Sequence, residues 1–177
     1  IEHIHTEPHR NIHHLRYILA SAKCIYIYTD GSLPSTDRAD QGPAFSLVVF
    51  FERQDGSFAI LGFLSAQLKH CGPLFQVDYA DSTLTEFAGI IFARLWIAIT
   101  APACPTHIFS DSLIAINILC NYHSPGKYRP LANLAHSVGN YMSTSVQHCD
   151  THTLSHVKGH SDHPWNELAD SLAKATA

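Results

Sequence analysis

The order of elements in this 177-residue chain predicts an α/β fold, a mixed sheet covered by helices. Two patterns carry that reading. Three apolar, β-rich runs follow one another over residues 24–68, and helical and extended segments then alternate to the C-terminus. The composition agrees, since 46% hydrophobic and 15% charged residues belong to a packed chain rather than a disordered one. The length suits one domain that buries well over half of its unfolded surface.

The elements follow in sequence. Residues 1–22 are polar and histidine-rich (His3, His5, His9, His13, His14), with a helix open to residues 11–22. They are expected to be a linker to an upstream segment, and residues 23–177 to be the folded domain. The start at Ile1 suggests a fragment of something longer. CIYIYTD (24–30) reads as a strand ended by Asp-Gly. GPAFSLVVFFER (42–53) and SFAILGFLSAQL (57–68) are strands joined by QDG, a hairpin signal. A helix is expected over about 83–99, a strand at 107–111, a helix at 112–122, a loop at 124–130 and a helix at 131–143. THTLSHV (151–157) closes the strands, and the last helix starts on Pro164, which suits a first helical position.

Composition excludes several classes. The five cysteines (24, 71, 104, 120, 149) contain no CxxC pair and are odd in number. That argues against a zinc ribbon or a disulfide framework, and for an intracellular, reducing compartment and small buried apolar roles. No run of about 18 apolar residues suggests a membrane span; FAGIIFARLWIAI is interrupted by Arg94 and reads as a buried helix. A net charge of −4 is not the footprint of a protein that holds nucleic acid by phosphate neutralisation alone.

Four carboxylates sit at element boundaries, and each has an ordinary local reading. Asp30 starts a DG turn. Glu86 completes a Thr83-x-x-Glu86 capping box. Asp111 lies where a helix N-cap is expected, and Asp170 can pair with Lys174 at i,i+4. Taken together these readings lose ground, because a sheet can gather strand ends and helix starts into one site.

The order YTDGS, a helix-borne Glu, SDS and VKGHxxxPxNExAD resembles a type 1 ribonuclease H domain, over about residues 24–177. The tail is the most specific part, with Val157, Lys158, Gly159, His160, Pro164, Asn166, Glu167, Ala169 and Asp170 in pattern. The resemblance implies a five-stranded mixed sheet, three antiparallel strands and then parallel ones, flanked by helices. It implies that Asp30 is the central carboxylate bridging two metal ions. Glu86, from the first turn of its helix, Asp111 and Asp170 would complete the ligands, and His160 would assist proton transfer or product release. It also implies hydrolysis of the RNA strand of an RNA–DNA hybrid. Two hard ions, Mg2+ with Mn2+ as substitute, suit an all-carboxylate site and the in-line displacement of a 3′-oxygen. Gly31, Ser32, Ser82, Thr83, Ser112 and Asn166 are the expected substrate contacts.

Two departures from the family pattern bear on partners. The asparagine pair that many members carry before the glutamate is replaced by Asp81-Ser82-Thr83-Leu84, leaving Ser82 and Thr83 to meet a 2′-hydroxyl or to cap the helix. The basic insertion found in some members is reduced to NYHSPGKYRP. The domain then resembles those appended to reverse transcriptases, with a non-LTR retroelement polyprotein as the expected source and the polymerase portion as a partner. The same fold also serves DNA nucleases and inactive binding modules. A rival reading takes the N-terminal histidines as a transition-metal site, but it explains none of the carboxylates. Phe92, Trp96 and Trp165 are expected to be core, His156 solvent-facing, and Tyr122 and Tyr128 with Lys127 and Arg129 a small basic-aromatic patch.

Overall fold

The structure is a computed structural model that describes residues 15, 17–34, 41–70, 81–145, 152–159 and 163–177. The first helical residues, 15 and 17–21, precede strand β1, Cys24–Ser32. Then come β2 (Ala44–Glu52), β3 (Phe58–Gln67), α1 (Ser82–Thr100), β4 (Thr106–Ser110), α2 (Leu113–Leu119), α3 (Arg129–Ser145), β5 (His152–His156) and α4 (Pro164–Thr176). The strands form one sheet in the order β3-β2-β1-β4-β5. β1 pairs antiparallel with β2 and β2 with β3, whereas β4 runs parallel to β1 and β5 parallel to β4. The five-stranded mixed sheet flanked by helices is therefore the observed architecture.

Each part follows from its residues. β1 and β2 are nearly continuous apolar runs because both faces of the central strands are covered. On one face Ile25, Ile27, Leu47 and Val49 meet Ala93 and Ile97 of α1. On the other, Tyr28, Val48 and Phe50 meet Ala169 of α4. Edge strand β3 is more exposed. The QDG hairpin forms as expected: the Gly56 N–H donates to Arg53 O at 3.0 Å and the Arg53 N–H to Ser57 O at 2.8 Å. Gly56 has φ +81°, the left-handed turn conformation that glycine adopts without strain.

Several local expectations change. β1 runs on through Asp30 to Ser32, so Asp30 lies inside the ladder opposite Ser46 rather than in a DG turn. The capping box at Thr83 and Glu86 does not form: Asp81 caps α1, its carboxylate accepting the Leu84 N–H at 3.0 Å. Asp81 also takes bonds from Lys127 Nζ at 2.5 Å and the Tyr128 hydroxyl at 2.7 Å. The basic-aromatic patch is thus partly spent on holding the loop before α3 against the start of α1. That connection lies earlier than expected, over residues 120–128, since α2 ends at Leu119 and Arg129 and Pro130 already belong to α3. Cys24 and Cys104 are buried but Cys120, just past α2, is exposed.

The aromatic expectations hold. Phe92 and Trp96 pack against the core, and Phe92 stacks on Phe45 with ring centroids 4.6 Å apart. Trp165 sits 4.3 Å from the Phe50 ring, and His156 is exposed. Asp81→Ala removes a cap and two tertiary bonds at once. It is expected to lower unfolding free energy by about 1–2 kcal/mol in urea melts.

Candidate active site

β1 and β4 are parallel neighbours, with Thr29 opposite Ser110. Residues just beyond that pair, Asp30 on β1 and Asp111 after β4, therefore emerge side by side. α1 crosses the same end and adds Glu86. Carboxylate oxygens of Asp30, Glu86 and Asp111 all lie within 4.8 Å of one another. Glu86 sits one residue past the first turn of α1, slightly deeper than expected. Asp111 does not cap α2; Ser112 does, accepting the Ala115 N–H at 3.3 Å.

Asp170 arrives from α4. The small residues Ala169 and Ala173 are fully buried, which lets the helix lie close on the sheet, and the Ser46 hydroxyl donates to Ala169 O at 2.6 Å. Asp170 then lines one cavity of about 280 Å3 with Asp30, Glu86 and Asp111. It stands outside the tight trio and pairs with Lys174 at 2.7 Å, so the expected i,i+4 ion pair forms at the rim of the same cavity.

The cluster is repulsive. Burial first, then the charges of Asp111 and Asp170, push the Asp30 carboxyl up to about 7. Burial, then Asp30 and Asp111, hold Glu86 well above the usual carboxylate range. A few donors work against this. The Gly31 N–H donates to Asp30 Oδ1 at 2.6 Å and to Glu86 Oε1 at 2.9 Å. The Ser110 hydroxyl donates to Glu86 Oε2 at 3.3 Å. A trio of carboxylates without cysteine or histidine suits a hard divalent cation, and its repulsion is what such a cation relieves.

The other expected residues divide. Gly31, Ser32 and Asn166 line the cavity. Asn166 is 2% exposed and its Oδ1 has no hydrogen-bond partner among the described residues. Ser82 is exposed at the start of α1, whereas Thr83 is buried and Ser112 is engaged as a cap. His160 lies outside the described residues. Sequence reasoning gave no part to Ser110, which orients Glu86, nor a site role to Glu167 and Lys174. The helical spacing 166/170/174 was the available signal for Lys174. Two glycines are steric necessities. A Cβ at Gly31 would sit 2.8 Å from the Glu86 nitrogen, and one at Gly159 would sit 2.6 Å from Asp111 Oδ2.

A β3-β2-β1-β4-β5 sheet with carboxylates at the ends of its central parallel pair defines the class, a ribonuclease H-like fold. The chain belongs to the family described as RNase H, which matches residues 22–177. That family depends on divalent metal. No curated protein matches the chain. Among solved structures it is similar to RNase H1 of the halophilic archaeon Halobacterium salinarum. That match has 19% identity over 87% of this chain and 99% of that one, with a TM-score of 0.57. The prototype foamy virus RNase H domain matches at 16% identity over 90% and 96% of the two chains, TM-score 0.58. A foamy viral protease-reverse transcriptase in complex with RNA/DNA hybrid matches at 14% identity, TM-score 0.55. There the match takes in 89% of this chain but only 20% of the longer viral one. At such identities these likenesses show the fold.

The raised Asp30 carboxyl sets a pH dependence. Its unfolded value is 3.8 and its folded value about 7, so between them the folded state holds the extra proton. This contribution to stability is full below 3.8 and is lost as pH rises through about 7. In EDTA, the melting temperature of the wild type relative to Asp30→Asn should fall across that window. Mg2+ should restore it at the alkaline end. A difference that is flat with pH would contradict the repulsive cluster.

Proposed function

We propose that the domain is an endonuclease that hydrolyses the RNA strand of RNA–DNA hybrids with two bound divalent ions. The observation that carries this is the trio within 4.8 Å, Asp30 and Asp111 at adjacent strand ends and Glu86 on α1, in a chain of the RNase H family. In this reading Asp30, Glu86 and Asp111 hold the cations, with Asp170 as the fourth ligand across the cavity. Mg2+ is the expected ion and Mn2+ a working substitute. Bound divalent ions supply charge stabilisation at the attacking and leaving oxygens of phosphodiester hydrolysis.

The protein's own groups do the positioning. The Gly31 N–H and Ser110 hydroxyl orient Glu86, and Gly31 also braces Asp30. The unpartnered Asn166 Oδ1 is an acceptor for a ribose hydroxyl or a bound water at the cavity. Ser82, exposed where Thr83 is not, carries the 2′-hydroxyl contact. Gly31 and Ser32 are placed for the scissile backbone, and Ser112 supports it through the turn after β4. His160 assists proton transfer or product release.

The retroelement reading has its own support. The segment between α2 and α3 carries only Lys127 as a permanent cation, with Arg129 opening α3, and Lys127 is engaged by Asp81. A domain so poor in basic groups gains from a polymerase portion that grips the hybrid. The foamy viral chain that matches is such a longer protein. We assign the domain to a retroelement polyprotein of the non-LTR type. Polymerase motifs encoded upstream of Ile1 would support this, and unrelated coding sequence would oppose it.

The test of activity uses a strand-labelled hybrid at low salt with Mg2+ or Mn2+, beside single-stranded RNA, duplex RNA and duplex DNA. Cleavage confined to the RNA of the hybrid is expected, abolished by Asp30→Asn and Asp111→Asn with the fold intact. Full activity of Asp111→Asn would refute the site, and cleavage of duplex DNA would refute the substrate. His160→Ala should slow cleavage by about 10²–10⁴-fold and leave a residue of activity.

A further inference from the structure

A second cavity, of about 200 Å3, lies between α3 and the β4–β5 edge of the sheet. It is remote from the carboxylates. Its strand residues include Ile108 and His152, and His152 pairs in register with Thr106, five residues before Asp111. At about 3.3 Å per strand residue, that start of β5 is roughly 16 Å from the acidic cluster. Its chemistry is also opposite. Arg94, His136, Asn140 and His152 supply its main polar groups, Ile108 and Leu154 give it an apolar floor, and no acidic residue lines it among the described residues.

Arg94 projects from the middle of α1, inside the segment whose apolar pattern it interrupts. A guanidinium has five N–H donors. Among the described residues one bond is made, from Nη1 to the Ala135 carbonyl at 2.7 Å. Among the described residues no carboxylate pairs with it, and burial pulls its pKa below the usual value. A half-buried cation without a counter-charge among the described residues has lost part of its hydration at a cost, and its remaining donors are open to a ligand. His152 has the same deficiency. Both of its ring nitrogens are shielded from solvent and have no partner among the described residues, although buried polar groups are normally hydrogen-bonded. Burial, with His107 adding repulsion, disfavours its charged form.

An oxyanion relieves both deficits at once. The planar guanidinium fork grips two oxygens of a phosphate or carboxylate, and such charge-assisted bonds are about twice as strong as neutral ones. The volume is several times the ~30 Å3 share of one water in the liquid. It admits a phosphoryl group with part of an attached organic body over Ile108 and Leu154. We propose that this cavity is a binding site for a phosphate monoester, anchored by Arg94 with His136, Asn140 and His152 as further donors. It is separate from the nuclease site and does not depend on the nuclease reading. Inorganic phosphate and a nucleoside 5′-monophosphate share the recognised group, and they differ in their use of the apolar floor.

The test titrates inorganic phosphate, adenosine 5′-monophosphate and adenosine into the 177-residue chain. EDTA excludes metal-bridged binding, and ionic strength is held with chloride. Binding is followed by amide shifts in 15N–1H spectra. Saturable shifts at Gly139, Asn140 and Thr153 are expected with the two phosphates and not with adenosine. Tighter binding of the monophosphate than of phosphate identifies the organic body as part of the ligand; equal affinity identifies the phosphoryl group alone. Arg94→Met should weaken binding by about tenfold or more, and Arg94→Lys, which keeps the charge but not the fork, should weaken it as well. If Arg94→Met does not fold, the wild-type shift map decides. Shifts that grow linearly without saturation, that occur only at the carboxylate end of the sheet, or that persist unchanged in Arg94→Met or Arg94→Lys overturn the proposal.

Discussion

The repulsion among Asp30, Glu86 and Asp111 is the constraint on which the rest of this molecule turns, because three carboxylates so close together are tolerated only by a frame that cannot relax. Asp30 is locked in a central strand, paired with Ser46 of β2 and one residue beyond the last β4 pair. Glu86 is carried by a helix whose inner face is buried almost without interruption. Asp111 follows the parallel neighbour of β1 and is approached by a glycine that leaves room for its oxygen. Each acid is thus held by backbone already committed elsewhere. Turning one side chain outward would break packing rather than relieve charge alone.

Around that frame the donors are few and specific. Gly31 offers one N–H to two of the three acids, and Ser110 adds a hydroxyl to Glu86. Asp170 belongs to the site in a different way. It is drawn near β1 by the alanine face of α4 but is matched by Lys174. The arrangement is a compact acidic trio with a screened fourth carboxylate across the cavity. It leaves most of the attraction for a cation at the trio.

Much of this was legible in the sequence. The strand and helix order specified the sheet, since alternation and turn chemistry act locally, and the QDG turn formed with its glycine in the left-handed region. The four acids were legible because their motifs carry their spacing. What was not legible depended on partners distant in sequence. In DSTLTE both Asp81 and Thr83 are competent caps, and Asp81 serves because Lys127 and Tyr128, some 46 residues on, close over it. Asp111 and Ser112 posed the same choice, and Ser112 caps α2. The Gly159 requirement and the Arg94 cavity arise from how β5 and α3 sit against other elements, which no local pattern records.

Three carboxylates held together by a frame that cannot relax should bind a divalent cation. Titration of Mn2+ into the protein, read by loss of the free-ion electron paramagnetic resonance signal, measures that binding. Saturable binding by the wild type is expected, with a loss of about tenfold or more in affinity on Asp30→Asn or Asp111→Asn and circular dichroism unchanged. Equal binding by the wild type and both variants would contradict that expectation.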